Sequence, residues 1–122
     1  MSLFNGSLIV RKDKGDRWIV EESFSYGGVT VQKGFRTDLA SVPFPFTFFI
    51  PKDGTHSPAA VWHDFGYATQ TMERKDVDMI FLEFMKDLEV PLWKRQIMYR
   101  AVRLAGWMPW RNYKNELSKK QS

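Results

Sequence analysis

One of the chain's two histidines, His63, falls in the run Ser57-Pro58-Ala59-Ala60-Val61-Trp62-His63-Asp64-Phe65-Gly66-Tyr67. Serine followed by proline is a helix start: the serine oxygen can cap a free backbone N–H, and proline suits the first helical position. On a helix beginning there, His63 and Tyr67 lie one turn apart on the same side, and Asp64 lies about 100° round from His63. An imidazole works as a base near neutral pH when a carboxylate on its other nitrogen fixes its tautomer and steadies the imidazolium. Asp78 is the candidate carboxylate, because fifteen residues of separation fit two antiparallel helices joined by a short turn. Asp64 points elsewhere, and with a second oxygen donor it suits a hard cation such as Ca²⁺. The best second donor is Asp38, in Thr37-Asp38-Leu39-Ala40-Ser41-Val42-Pro43. The competing reading makes His63 a core histidine bonded to Asp78 for stability alone.

Other chemistries fit less well. Ser41 with His63 and an aspartate makes a serine triad on paper, but no nucleophile-elbow motif surrounds Ser41. A zinc site from His56, His63 and Asp64 requires His56 to fold back across the helix start. No phosphate loop or dinucleotide fingerprint is present.

These residues need elements to position them. Residues 7 to 37 read as an antiparallel β-meander. Its strands are Ser7 to Arg11, Arg17 to Tyr26, Val29 to Gln32 and Phe35 to Thr37, with Gly27-Gly28 as a hairpin signal. Residues 38 to 56 form an apolar, proline-rich loop carrying Phe44, Phe46, Phe48 and Phe49, expected to pack as irregular core. A second helix spans about Glu73 to Leu88, with Val77, Ile80, Phe81, Phe84, Met85 and Leu88 as its buried stripe and Asp78 at the stripe's border. A third runs from near Pro91 to Ala105, stopped by Gly106 and Pro109, with Trp93, Ile97, Ala101 and Leu104 facing inward. The fold expected is α+β: one domain over residues 1–113, with the meander packed on a three-helix part (57–113). A polar basic tail follows over 114–122.

At 122 residues and 43% hydrophobic content, the chain has enough apolar material for one modest core. With no cysteine it holds no disulfide and no thiolate metal site. No apolar run reaches the length of a membrane span and no signal segment is evident, so a soluble, cytoplasmic protein is expected. The net charge of +4 is unevenly spread: from Lys94 onward eight basic residues face one acid, Glu116. Arg95, Arg100, Arg103, Arg111 and Lys114 are therefore candidate contacts for an anionic partner, whether phosphate, nucleic acid, a lipid surface or an acidic protein; the competing reading is a solvated helix face.

Two resemblances add to this reading. The chain from near Gly6 to about Trp110 resembles a family of small phage and prophage proteins of unknown function. The shared features are Gly34-Phe35-Arg36-Thr37-Asp38-Leu39-Ala40-Ser41-Val42-Pro43, Pro58-Ala59-Ala60-Val61-Trp62-His63-Asp64 and Met98-Tyr99-Arg100-Ala101-Val102-Arg103. It implies viral or proviral origin but not an activity; synthesis in the host cytoplasm and virion or tail proteins as partners are expected with it. Residues 38–85 also resemble the core of prokaryotic-type secretory phospholipases of the A-two class. In that family a calcium loop leads into a helix bearing His-Asp-Phe-Gly-Tyr, and an antiparallel helix carries an aspartate. The resemblance implies that His63 activates a water, that Asp78 orients it and that Tyr67 supports the pair. It makes Asp38, the Leu39 carbonyl and Asp64 ligands of Ca²⁺. Ala40 and Ala60 stand where that family has cysteines, and Leu39 where it has glycine. Two functions follow as expectations: a Ca²⁺-dependent hydrolase of a lipid or other ester, or a virion or tail component that uses the scaffold only for binding.

Overall fold

The computed structural model describes residues 5–6, 9–12, 18–37 and 58–121. The proline-rich loop with Asp38, Leu39, Ala40, Ser41 and His56, and the expected cap Ser57, lie outside the described residues. The chain divides into two compact units, 1–62 and 63–122, so the division falls inside the first helix.

The first unit is antiparallel β-structure, as expected of the meander. Its strands are β1 (Val10–Lys12), β2 (Trp18–Val20), β3 (Phe24–Tyr26), β4 (Val29–Val31) and β5 (Arg36–Thr37). β1, β2 and β5 form one sheet in that order, and β3 pairs with β4. Gly27 and Gly28 both take positive φ, 56° and 81°, which is the backbone a two-residue hairpin turn needs. Across that hairpin the Ser25 and Thr30 hydroxyls sit 2.7 Å apart. The single strand expected from Arg17 to Tyr26 is two strands. Its alternation lapses at Glu21-Glu22-Ser23, and the Val20 backbone turns to Gly34 and Phe35 instead. Val20, Phe24, Tyr26 and Val31 are fully buried. Trp62 completes this core: its indole N–H donates to the Tyr26 carbonyl at 3.2 Å, and its ring meets the Tyr26 ring edge-on.

The second unit is helical, with four helices instead of three: α1 (Pro58–Thr69, shared with the first unit), α2 (Arg74–Asp87), α3 (Leu92–Ala105) and α4 (Trp107–Gln121). α2 buries Val77, Phe81, Phe84 and Met85, the stripe its periodicity predicts. Gly66 on α1 approaches Val77 so closely that a Cβ there would stand 2.8 Å from the valine's Cγ1. His63 meets Phe81, whereas Gly66 and Tyr67, about one turn later on α1, meet Val77 and Asp78, about one turn earlier on α2, so the two helices run antiparallel.

At the end of α2, Glu89 N–H bonds to the Lys86 carbonyl and Val90 N–H to the Met85 carbonyl, a Schellman closure. Glu89 takes φ 64°, the left-handed position where glycine is unstrained. Glu89→Gly should therefore raise the unfolding free energy by about 0.5–1 kcal/mol, read from urea unfolding.

α3 is oriented opposite to expectation. Val102 is its buried residue, while Trp93, Ile97 and Leu104 are exposed, Leu104 to 79%. An apolar stripe marks where a partner belongs without saying whether this chain supplies it. The polar side of α3 is drawn inward because Arg95 donates to the Val90 carbonyl and Arg103 to Asp78. α4 runs through the expected stop. Pro109 falls in its first turn, where a missing N–H costs no hydrogen bond, and Gly106 keeps a right-handed helical conformation. Trp110, Tyr113 and Leu117 then recur at helical spacing as its half-buried side, so the expected tail is helix as far as Gln121. Among the described residues no helix is long and apolar enough to cross a membrane.

Candidate functional site

The second unit is built around one carboxylate. Asp78 projects from α2 with no solvent exposure. Its Oδ1 takes the His63 Nε2 contact at 2.7 Å and accepts from the Tyr67 hydroxyl at 2.7 Å. Its Oδ2 accepts from Arg103 at 2.7 Å, and Arg74, one turn earlier on α2, stands 3.7 Å away. Three helices thus converge on this acid: α1 supplies the imidazole and phenol, α3 supplies Arg103, and α2 adds Arg74. A buried charge is tolerated only when paired and hydrogen-bonded, and Asp78 has both.

The surrounding contacts hold these donors in place. The His63 ring packs against Tyr67 and Phe81 in tilted contacts, with centroids 4.3 and 4.5 Å away. Tyr67 meets Trp110 of α4 edge-on at 5.1 Å. Arg74 donates to the Val102 carbonyl at 3.0 Å, so it binds the C-terminal end of α3, where cations are favoured. A Cβ at Gly106 would run into the Tyr67 hydroxyl, so the residue joining α3 to α4 must be glycine for this packing.

The electrostatics follow from the geometry. Burial alone would raise the Asp78 carboxyl. The hydrogen bond and charge of His63, with the hydrogen bonds from Tyr67 and Arg103, outweigh burial and hold it below its ordinary value of 3.8. Burial, then Asp78 beside it, pushes the Tyr67 phenol well above its ordinary value, so Tyr67 remains a protonated donor. The folded carboxylate binds its proton less readily than the unfolded one. Its contribution to stability is therefore fully present above the unfolded value and is lost as pH falls through the folded value. Acid unfolding should steepen below about pH 4, and Asp78→Asn should flatten that limb, as measured by circular dichroism against pH.

Chemically, Asp78 occupies Nε2, so Nδ1 is the ring atom through which His63 can exchange a proton. In the neutral ring this pairing sets Nε2–H as donor and Nδ1 as acceptor. His63, Tyr67 and Asp78 are brought together as expected, and Asp78, at the border of the α2 stripe, is fully buried there. Asp64 stands apart from them, with its Oδ1 accepting from Tyr113 of α4 at 2.6 Å. The other expected Ca²⁺ donors, Asp38 and Leu39, lie outside the described residues. Among the described residues no three His, Cys, Asp or Glu side chains gather to hold a metal. Of the expected anionic-partner contacts, Arg100, Arg111 and Lys114 are exposed, Arg95 is half-buried, and Arg103 serves Asp78.

Sequence reasoning did not assign Arg74 and Arg103 to this site. Arg74 was within reach, since it precedes Asp78 by one helical turn. Arg103 carries no such local signal, because its partner lies 25 residues away on another helix.

Residues 15–102 match a family model whose description is "Protein of unknown function (DUF1353)". That span takes in His63, Tyr67, Arg74 and Asp78 and ends one residue before Arg103. No curated protein and no solved structure matches the chain.

Proposed function

Since the chain belongs to the DUF1353 family of proteins of unknown function, its activity has to be read from its own residues, and we propose that it is a hydrolase-like protein. We place its origin in a phage or prophage and its substrate among lipid or other esters. The observation that carries this reading is the 2.7 Å contact between His63 Nε2 and Asp78 Oδ1, beside the Tyr67 and Phe81 rings. In the proposed step Nδ1 takes a proton from water as the water oxygen attacks the acyl carbon. The imidazolium then returns the proton to the leaving alcohol oxygen, giving acid and alcohol. Asp78 fixes the ring and shares the developing charge, while Tyr67 holds Asp78.

Ca²⁺ belongs to the proposal through Asp38, the Leu39 carbonyl and Asp64, and when bound it would polarise the ester carbonyl. The described residues supply one of those donors, and its carboxylate is already engaged by Tyr113. The test is thermal: Ca²⁺ should raise the melting temperature of the wild type and leave Asp64→Asn unchanged. A melt indifferent to Ca²⁺ removes the metal from the reading.

One observation favours a second reading, a virion or tail component without activity. Two arginines share Asp78 with His63, as suits a carboxylate kept to lock helices together. A protein that stays with purified particles and ignores Ca²⁺ would support it.

A further inference from the structure

We propose that the outer face of α3 and the start of α4 dock on an anionic phospholipid surface. Trp93, Ile97 and Leu104 recur on one side of α3, opposite buried Val102, and all three are exposed. Trp107 and Met108 continue the exposed apolar material into α4. Large side chains of this kind, clustered in the open, mark an interaction surface.

Charge selects the occupant. Arg100 lies within the same stripe, between Ile97 and Leu104, and is exposed. Exposed Arg111 and Lys114 follow one and two turns after Trp107 on α4. Glu116 is the single acid on the two helices. Pairing two copies through this face would bring arginines together with no acid between them, which disfavours a dimer. Nucleic acid would use the cations and the tryptophans, but Ile97, Leu104 and Met108 offer nothing for a base or phosphate to engage. A membrane interface uses all of them: tryptophan rings at headgroup level, aliphatic side chains at the acyl boundary, and arginines on the lipid phosphates. This assignment is independent of the chemistry at His63, and its helices lie outside residues 38–85.

The test is co-sedimentation of the full chain with vesicles of equimolar phosphatidylglycerol and phosphatidylcholine, compared with phosphatidylcholine alone. Binding to the anionic vesicles is expected, with weak binding to the neutral ones. Trp93→Ser with Leu104→Ser should weaken partitioning about tenfold or more, as should Arg100→Glu with Arg111→Glu. These positions are exposed, and circular dichroism melts should confirm that both variants fold. The proposal is overturned by equal binding to both vesicle types, or by retention of binding in the apolar variant. It is also overturned if the protein dimerises through Trp93 in solution, or binds duplex DNA with no loss in Leu104→Ser while leaving vesicles alone.

Discussion

Asp78→Ala should lower the unfolding free energy by about 3 kcal/mol, near the lower end of what removing one partner from a buried ion pair costs. The variant leaves Arg74 and Arg103 facing each other where a carboxylate stood, with His63 and Tyr67 deprived of their acceptor. The two guanidiniums keep 21% and 33% side-chain exposure, so both can lean toward water, and this holds the loss below the fully buried limit. A fall in melting temperature of roughly 10 °C is the corresponding thermal signal. Adding Arg103→Met to Asp78→Ala should recover part of the loss, because it removes one of the stranded charges. If Asp78→Ala costs less than about 1 kcal/mol, the carboxylate is not what joins these helices.

The second large effect concerns chemistry. His63→Gln should cut ester hydrolysis by about 10²–10⁴-fold, the range general-base catalysis contributes. Its effect on stability should be small beside that of Asp78→Ala, because glutamine can still donate to Asp78 and the ring is not the fold's charge centre. Fatty-acid release and a urea melt on the same preparation separate the two outcomes. Unchanged hydrolysis with a large loss of stability would make His63 a structural partner of Asp78 and nothing more.

The elements were legible where a single physical signal was sufficient. Gly27-Gly28 gave the hairpin, because few other dipeptides accept two positive φ angles in succession. The stripe of Val77, Phe81, Phe84 and Met85 gave α2, and the spacing from His63 to Asp78 gave their meeting. Orientation was not legible in α3. Trp93, Ile97 and Leu104 make the stronger apolar stripe, and the helix turns it outward because Val102, Arg95 and Arg103 have partners within the chain. α4 was hidden by Pro109, a helix breaker everywhere except in the first turn, where it lies. The site was legible in its local part, the imidazole, phenol and acid. Its long-range part, the arginine arriving from α3, becomes visible only once the helices are placed.

The most direct test of the pair's proposed chemistry is nitrogen NMR of the imidazole, which is tractable with two histidines in the chain. Neutral His63 should carry its proton on Nε2, coupled to the Asp78 hydrogen bond, with Nδ1 bare and able to accept. A proton on Nδ1, or a ring spectrum unchanged by Asp78→Asn, would contradict the account.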